Sequence, residues 1–177
     1  WTVDTTLLGI ISGTAATAIY GVGSQINQYY MALSTSISGV FTPQINRIVA
    51  RGEGDEQLTK LFTRVGRIQF MLLMLVLTGF VFVGEPFICA WGGEEYGAAY
   101  WIALLLIAPV TVPLIQNIGI EIQRAKNMHQ FRSKVYFCMA IGNALVSVPL
   151  GMKFGGIGCA LGTAISMVVG NGFIMNW

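Results

Sequence analysis

The sequence predicts an all-α fold, a polytopic bundle of transmembrane helices with about six spans, the first of them truncated. Three observations point there. The 177 residues are 54% hydrophobic and only 10% charged, with a mean hydropathy of +0.66. Soluble domains carry roughly 25% charged residues, and a chain with so few could not cover a water-facing surface. The charges that do exist fall in short islands between long uncharged runs: 5–46, 68–84, 96–120, 135–152 and 154–177. Finally, the islands differ in sign along the chain, as loops on opposite sides of a bilayer do.

A membrane helix needs about 20 mostly apolar residues. The run 5–46 would extend about 63 Å as one helix, twice the hydrocarbon thickness, so it must turn. "GIISGTAA", with Gly9, Ser12 and Gly13, is the weakest place. This gives spans over about 1–11 and 15–46, then 67–90, 96–120, 133–152 and 155–177. The second is long enough to tilt, and Pro43 bends it or loosens its last turns. Ahead of the third span, "GEGDEQLTKLFTRVGR" reads as a turn and a short amphipathic interfacial helix. Asp55 is placed to cap it, and Leu58, Leu61, Phe62 and Val65 form its apolar stripe. Pro109 and Pro113 interrupt the fourth span and permit a bend.

Charge sets the orientation. Arg47, Arg51, Lys60, Arg64 and Arg67 fall between the second and third spans, and Arg124, Lys126, Arg132 and Lys134 between the fourth and fifth. The intervening loop "GEPFICAWGGEEYG" holds Glu85, Glu94 and Glu95 without a cation, and the last turn holds only Lys153. The positive-inside rule therefore places the basic loops in the cytoplasm. It also explains "GIEIQRAKNMHQFRSK", a basic island between apolar segments: a cytoplasmic loop that fixes topology. His129 within it reads as a solvated loop histidine, with no second ligand near enough for a metal. Trp91, Tyr96, Tyr100 and Trp101 flank the acidic loop as an interfacial belt.

Several function classes are excluded. A net charge of +2 is too small for a nucleic-acid partner. Cys89, Cys138 and Cys159 have no zinc spacing and read as small buried hydrophobes. "GGIGCALG" lacks the third glycine of a nucleotide loop and no strand precedes it. No acid, base, nucleophile or metal set is spaced for catalysis, so the chain reads as a non-enzyme without cofactor. No secretory leader is visible, and the apolar runs at both ends read as cut, so the chain is expected to be part of a longer protein. Small residues at every fourth position (Gly158, Gly162, Ser166 and Gly170, and also Gly9 and Gly13) predict close helix contacts.

The candidate functional residues are polar groups at membrane depth. Asp4 lies about 10 Å from the end of its span, and Glu121 lies near the inner end of the fourth, beside Gln116, Asn117 and Gln123. A carboxylate at a helix centre costs about 2.5–3.5 kcal/mol on insertion scales and usually faces a bundle interior or water. For Glu121 the alternative is a pair with Arg124, and for Asp4 a helix–helix hydrogen bond. The second span is unusually polar: Ser24, Gln25, Asn27, Gln28, Tyr29, Tyr30, Ser34, Thr35, Ser36 and Ser38. Ser24, Gln28, Thr35 and Ser38 share one broad face, expected to line other helices or water. Hydroxyls, amides and tyrosines suit sugar hydroxyls.

"VDTTLLGI", "AIYGVGSQINQYY", "STSISGVFTPQI" followed by "GEGDEQL", "GIEIQRAKNMHQFRSK" and "GGIGCALGTAIS" together resemble the bacterial polysaccharide biosynthesis membrane proteins. These are O-antigen-type oligosaccharide flippases of the multidrug/oligosaccharidyl-lipid/polysaccharide exporter superfamily. The resemblance covers nearly the whole chain and rests on the order of the segments rather than on one motif. It implies about 12 to 14 spans in two lobes around a central cavity, of which this chain resembles the second lobe. It also implies transport of undecaprenyl-diphosphate-linked oligosaccharide across the bacterial cytoplasmic membrane by alternating access. The implied partners are membrane lipid, the lipid-linked substrate, a coupling cation and the first lobe. Carried over by the resemblance, Asp4, Gln25, Gln28, Arg47, Gln116, Asn117 and Glu121 are candidate cavity positions. Two other readings stand beside it: a cation-coupled drug exporter of the same superfamily, and a non-catalytic part of a membrane glycosyltransferase or polysaccharide polymerase, for which the loops are short.

The charge pattern makes a direct prediction. Single cysteines at Gly93 and Asn127, in a cysteine-free background, are expected to differ in intact cells. An impermeant thiol reagent should label position 93 and spare position 127; the reverse pattern would invert the topology.

Overall fold

The computed structural model describes residues 9, 13–52, 54–126 and 130–170, and these are helical throughout apart from short turns. We number the helices α1 (Gly13–Arg51), α2 (Asp55–Gly92), α3 (Ala98–Ile115), α4 (Asn117–Ala125) and α5 (Gln130–Met167). A single 3-10 turn, Glu94–Tyr96, joins α2 to α3. Among the described residues three stretches are long and apolar enough, by length and composition, to cross a membrane: Asp55–Gly92, Glu94–Ile115 and Ala140–Gly170, the last of them divided at Gly155.

α1 and α2 are antiparallel along almost their whole lengths, which are about 58 and 57 Å at 1.5 Å per residue. At one end Ile19, Val22 and Ile26 of α1 pack on a cluster of Ile88, Ala99 and Tyr100. At the other end Ile45 and Ile48 pack on Leu58, Leu61 and Val65 of α2 and Ile118 of α4. The apolar stripe at the start of α2 is thus buried against this chain's own helices. No break separates it from the following apolar stretch, so the short interfacial helix expected ahead of 67 is the first part of one long helix. The reason lies in the sequence: the stripe Leu58, Leu61, Val65 continues in register through Gln69 and Leu73, with no breaker between. Asp55 makes no side-chain cap there and instead receives an ion pair from Lys126 Nζ, which ties the end of α4 to the start of α2.

α3 packs against both α1 and α2. Its contact with α1 is closest at Gly23, where an added Cβ would stand 2.8 Å from the Ile102 side chain. Tyr100 is buried and donates from its hydroxyl to Val81 O at 3.0 Å, with its ring against Phe80. It therefore leaves the interfacial belt to Trp91 and Trp101, which are exposed. Adjacent residues on a helix point about 100° apart, enough to separate Tyr100 from Trp101. The helix ends at Gln116 (φ −88, ψ 6), and α4 starts at the next residue, so the apolar run 96–120 is divided. Pro113 lacks the N–H that would bond Pro109 O, which weakens α3 just before this end.

α5 folds back on itself. Gly155 leaves helical geometry at φ 59, ψ −135. Thr163 and Asn143 then meet at 3.4 Å, although a straight helix would hold them about 30 Å apart. The small residues make this return possible. An added Cβ on Gly158 would collide with the Leu150 carbonyl, and one on Gly162 would stand 2.5 Å from Ser147 Oγ. Ser147 Oγ donates to Asn143 Oδ1 at 2.7 Å beside this contact. Gly13, by contrast, is exposed, and a Cβ added to it would meet none of the described residues within 4 Å.

A polar cluster joins α1, α2 and α3 at mid-length. Gln69 Nε2 donates to Ser38 Oγ (2.7 Å) and to Ser34 O (3.1 Å), while Ser34 Oγ donates to Leu114 O (2.9 Å). One to two turns away, Tyr30 Oη donates to Leu73 O (3.1 Å) and meets Thr111 Oγ1 at 2.9 Å. Interhelical hydrogen bonds of this kind contribute about 0.6–2 kcal/mol each in membrane proteins. Gln69→Leu is expected to lower the unfolding midpoint of the detergent-solubilised protein by an amount equivalent to about 1–3 kcal/mol, since it removes the interhelical hydrogen bonds from Nε2 to Ser38 Oγ and Ser34 O. Gly162→Leu should do more, because the arms of α5 must separate; an unchanged midpoint in both would contradict these contacts.

Candidate functional site

The residues singled out in the sequence fall into two groups that the fold keeps apart. Gln25, Gln28 and Arg47 are exposed on the outer side of α1, and Gln116, Asn117 and Glu121 sit where α3 passes into α4. α4 packs against the inner side of α1 through Ile118, Ile45 and Ile48. Residues nine apart on a helix point in opposite directions, about 180° apart, as do the exposed Gln25 and the buried Ser34. Asp4 lies outside the described residues, as does His129.

Within the second group, Asn117 is buried and Gln116 half-buried. Glu121 has a side chain only 18% exposed, and its Oε1 accepts from Arg124 Nη1 at 2.8 Å. The i, i+3 spacing on α4 brings the two charges together, so Glu121 is neutralised by a neighbour on its own helix. Among the described residues no three of His, Cys, Asp and Glu gather as metal ligands.

The polar face of α1 divides in a way the sequence did not show. Ser24 and Ser38 are buried, and their hydroxyls return to α1's own backbone, Ser24 to Gly21 O (3.0 Å) and Ser38 to Ser34 O (3.1 Å). They belong to the packing side. Thr35 and Gln28 are exposed. The edge of contact with α2 and α3 runs through this set, which is why helical spacing alone grouped it as one face. The open side instead carries Gln25, Gln28, Tyr29, Ala32, Ser36, Gly39, Pro43 and Arg47. The corresponding side of α2 carries Met71, Leu75, Phe82 and Val83. The two helices are antiparallel over the same depth, so amides, hydroxyls and small residues on α1, with Val40 among them, stand level with a stripe on α2 that is apolar apart from Thr78.

Gln25 also lines a cleft of about 490 Å³ with Ala18, Gly21, Val22, Trp91, Gly92 and Tyr96. Here two aromatic rings from the end of α2 and the following turn stand beside an uncharged amide. Flat rings next to hydrogen-bonding groups can hold a sugar by its C–H face and its hydroxyls together. Position along the chain marks Trp91 and Tyr96 as membrane anchors; only the return of α2 beside α1 shows that they share a cleft with Gln25.

No family model matches this chain, and no solved structure matches it. Among curated proteins, a probable flippase from Haloferax volcanii, AglR, is 26% identical over 174 residues. The match covers 96% of this chain and 36% of that protein. The chain thus spans about a third of the length of this relative.

Asn27 occupies the buried side of α1, and neither its Nδ2 nor its Oδ1 has a hydrogen-bond partner among the described residues. An unpaired buried amide costs about 1–3 kcal/mol. Asn27→Leu should therefore hold or raise the thermal midpoint, in contrast to Gln69→Leu. A clear fall in the Asn27→Leu midpoint would show that the amide has a partner.

Proposed function

We propose that this chain is part of a flippase-type membrane transporter that moves a lipid-linked, hydroxyl-rich cargo across the bilayer. The observation that carries the proposal is the open side of α1. Lipid tails offer no partner for Gln25, Gln28, Tyr29 and Ser36, and a polar face at that depth is stable only against water or further protein. The 26% match to a probable flippase along almost the whole chain supports the same class, a transporter rather than a catalyst.

The finer reading follows the resemblance. The cargo is an oligosaccharide on a polyprenyl diphosphate, undecaprenyl in a bacterial cytoplasmic membrane. The matched relative is archaeal, so the bacterial setting and that carrier rest on the resemblance alone. The chain would form the second of two lobes, with the open side of α1 turned toward the first and the basic ends of the helices in the cytoplasm. Gln25, Gln28 and Arg47 would then face the passage. Since Glu121 is already paired with Arg124, Asp4 is the acidic residue left to bind a coupling cation.

The test uses the complete protein. Cysteines replacing Gln25, Tyr29 and Ser36 should react with a small hydrophilic thiol reagent, and cysteines replacing Ser34 and Ser38 should not. Gln28→Trp should reduce surface polysaccharide at least ten-fold while membrane abundance stays normal. If the reagent reaches none of the outer positions and Gln28→Trp instead destabilises the protein, the face is a packed contact and the proposal fails.

A further inference from the structure

A second surface lies on the other side of the bundle, on the outward face of α2. Lys60, Arg64 and Arg67 recur there at helical spacing and are all exposed. With Thr59, Thr63 and Ile68 they bound a shallow recess of about 530 Å³. Lys60 pairs with Glu56 at 2.8 Å, and both side chains remain largely in solvent. Among the described residues, Arg64 and Arg67 have no carboxylate partner. The threonines have spent their hydroxyl protons on their own helix, Thr59 on Asp55 O and Thr63 on Thr59 O, both at 2.9 Å. The recess therefore offers guanidinium donors and an excess of positive charge.

What lies along the same face identifies the occupant. Beyond Arg67 the exposed residues of this face are apolar apart from Thr78: Ile68, Met71, Leu75 and Phe82. The next exposed charge on the helix is Glu85. At 1.5 Å per residue about 27 Å separate Arg67 from Glu85, close to the thickness of a bilayer's hydrocarbon core. Arg64 and Arg67 thus stand at the depth of the phosphates, directly over a stripe that acyl chains would cover. Guanidinium groups suit phosphate because they offer paired donors in a plane.

We infer that Lys60, Arg64 and Arg67 form a binding site for the phosphate headgroup of an anionic phospholipid, whose chains lie along Ile68, Met71 and Leu75. This site is separate from the open side of α1 and requires only that α2 crosses the membrane. It gives the basic residues of α2 a role beyond setting topology. A resident lipid would hold the outer face of a helix whose inner face carries Gln69.

The experiment places a fluorophore on a single cysteine, Met71→Cys, in the complete protein reconstituted in phosphatidylcholine vesicles. A minor fraction of the lipid is brominated on its chains, either as phosphatidylglycerol or as phosphatidylcholine. Brominated phosphatidylglycerol should quench more strongly than the same fraction of brominated phosphatidylcholine. The preference should fall roughly thirty-fold in Arg64→Gln/Arg67→Gln, as expected when each basic residue contributes about five-fold to attraction by an anionic surface. It should persist in Glu85→Gln. Equal quenching by the two lipids, or an undiminished excess in the double variant, would overturn the assignment. Inorganic phosphate that abolishes the excess would also overturn it, by showing a site for free anions. Should the double variant fail to insert, salt decides: the excess must shrink as ionic strength rises, and indifference to salt overturns the proposal.

Discussion

The contact between Gln69 and the backbone and hydroxyl of Ser34 holds the centre of this bundle. In lipid there is little hydrophobic force to drive one helix against another, so close packing and interhelical hydrogen bonds must do it. Gln69 reaches Ser34 and Ser38 on α1, and Ser34 passes the connection to Leu114 O near the end of α3. That carbonyl lies where α3 gives way to α4, so the serine satisfies a backbone acceptor at an irregular point of the chain. Tyr30, bonded to Leu73 O and Thr111, repeats the device toward the other end. Three helices are thereby fixed in rotation as well as position.

That fixed rotation decides what α1 shows to the outside. Ser34, Ser38 and Tyr30 are consumed inward, and Gln25 and Gln28 are turned away from the bundle. Had α1 been rotated by half a turn, Gln25 and Gln28 would have been the packing groups. A helix this long with polar groups on both sides cannot sit in lipid. One side is satisfied by α2 and α3, and the other needs water or protein. The transport proposal rests on this second requirement, together with the likeness to a probable flippase.

The two long helices divide the labour. Between Arg67 and Glu85, α2 is polar on its inner side at Gln69, and its outward face is apolar apart from Thr78. α1 shows amides and hydroxyls on its outward face over the corresponding depth, interrupted by Val40 and by small residues. α5 solves a different problem. By folding back at Gly155 it buries Asn143, Ser147 and Thr163 against each other, with glycines admitting one arm to the other. Small residues spaced by four serve close approach here, whereas Gly13 at φ 80 marks only the start of α1.

Composition and charge order alone were enough for an all-helical membrane chain. With 10% charged residues no other class could cover its surface, and the cations gather at the same ends of the helices because the charge islands alternate. Helical periodicity also exposed the polar character of α1 and the small-residue stripe of α5. Periodicity could not say which side of α1 would be inside. A helix with hydroxyls and amides all round has no preferred face until its neighbours take one. Ser24 and Ser38 went inward and Gln25 and Gln28 outward because Gln69 and the end of α3 stand where they do. Nor could separation in sequence show that Trp91 and Tyr96 return beside Gln25, or that Glu121 is already held by Arg124. Those depend on which helix ends meet, and only the packed bundle determines that.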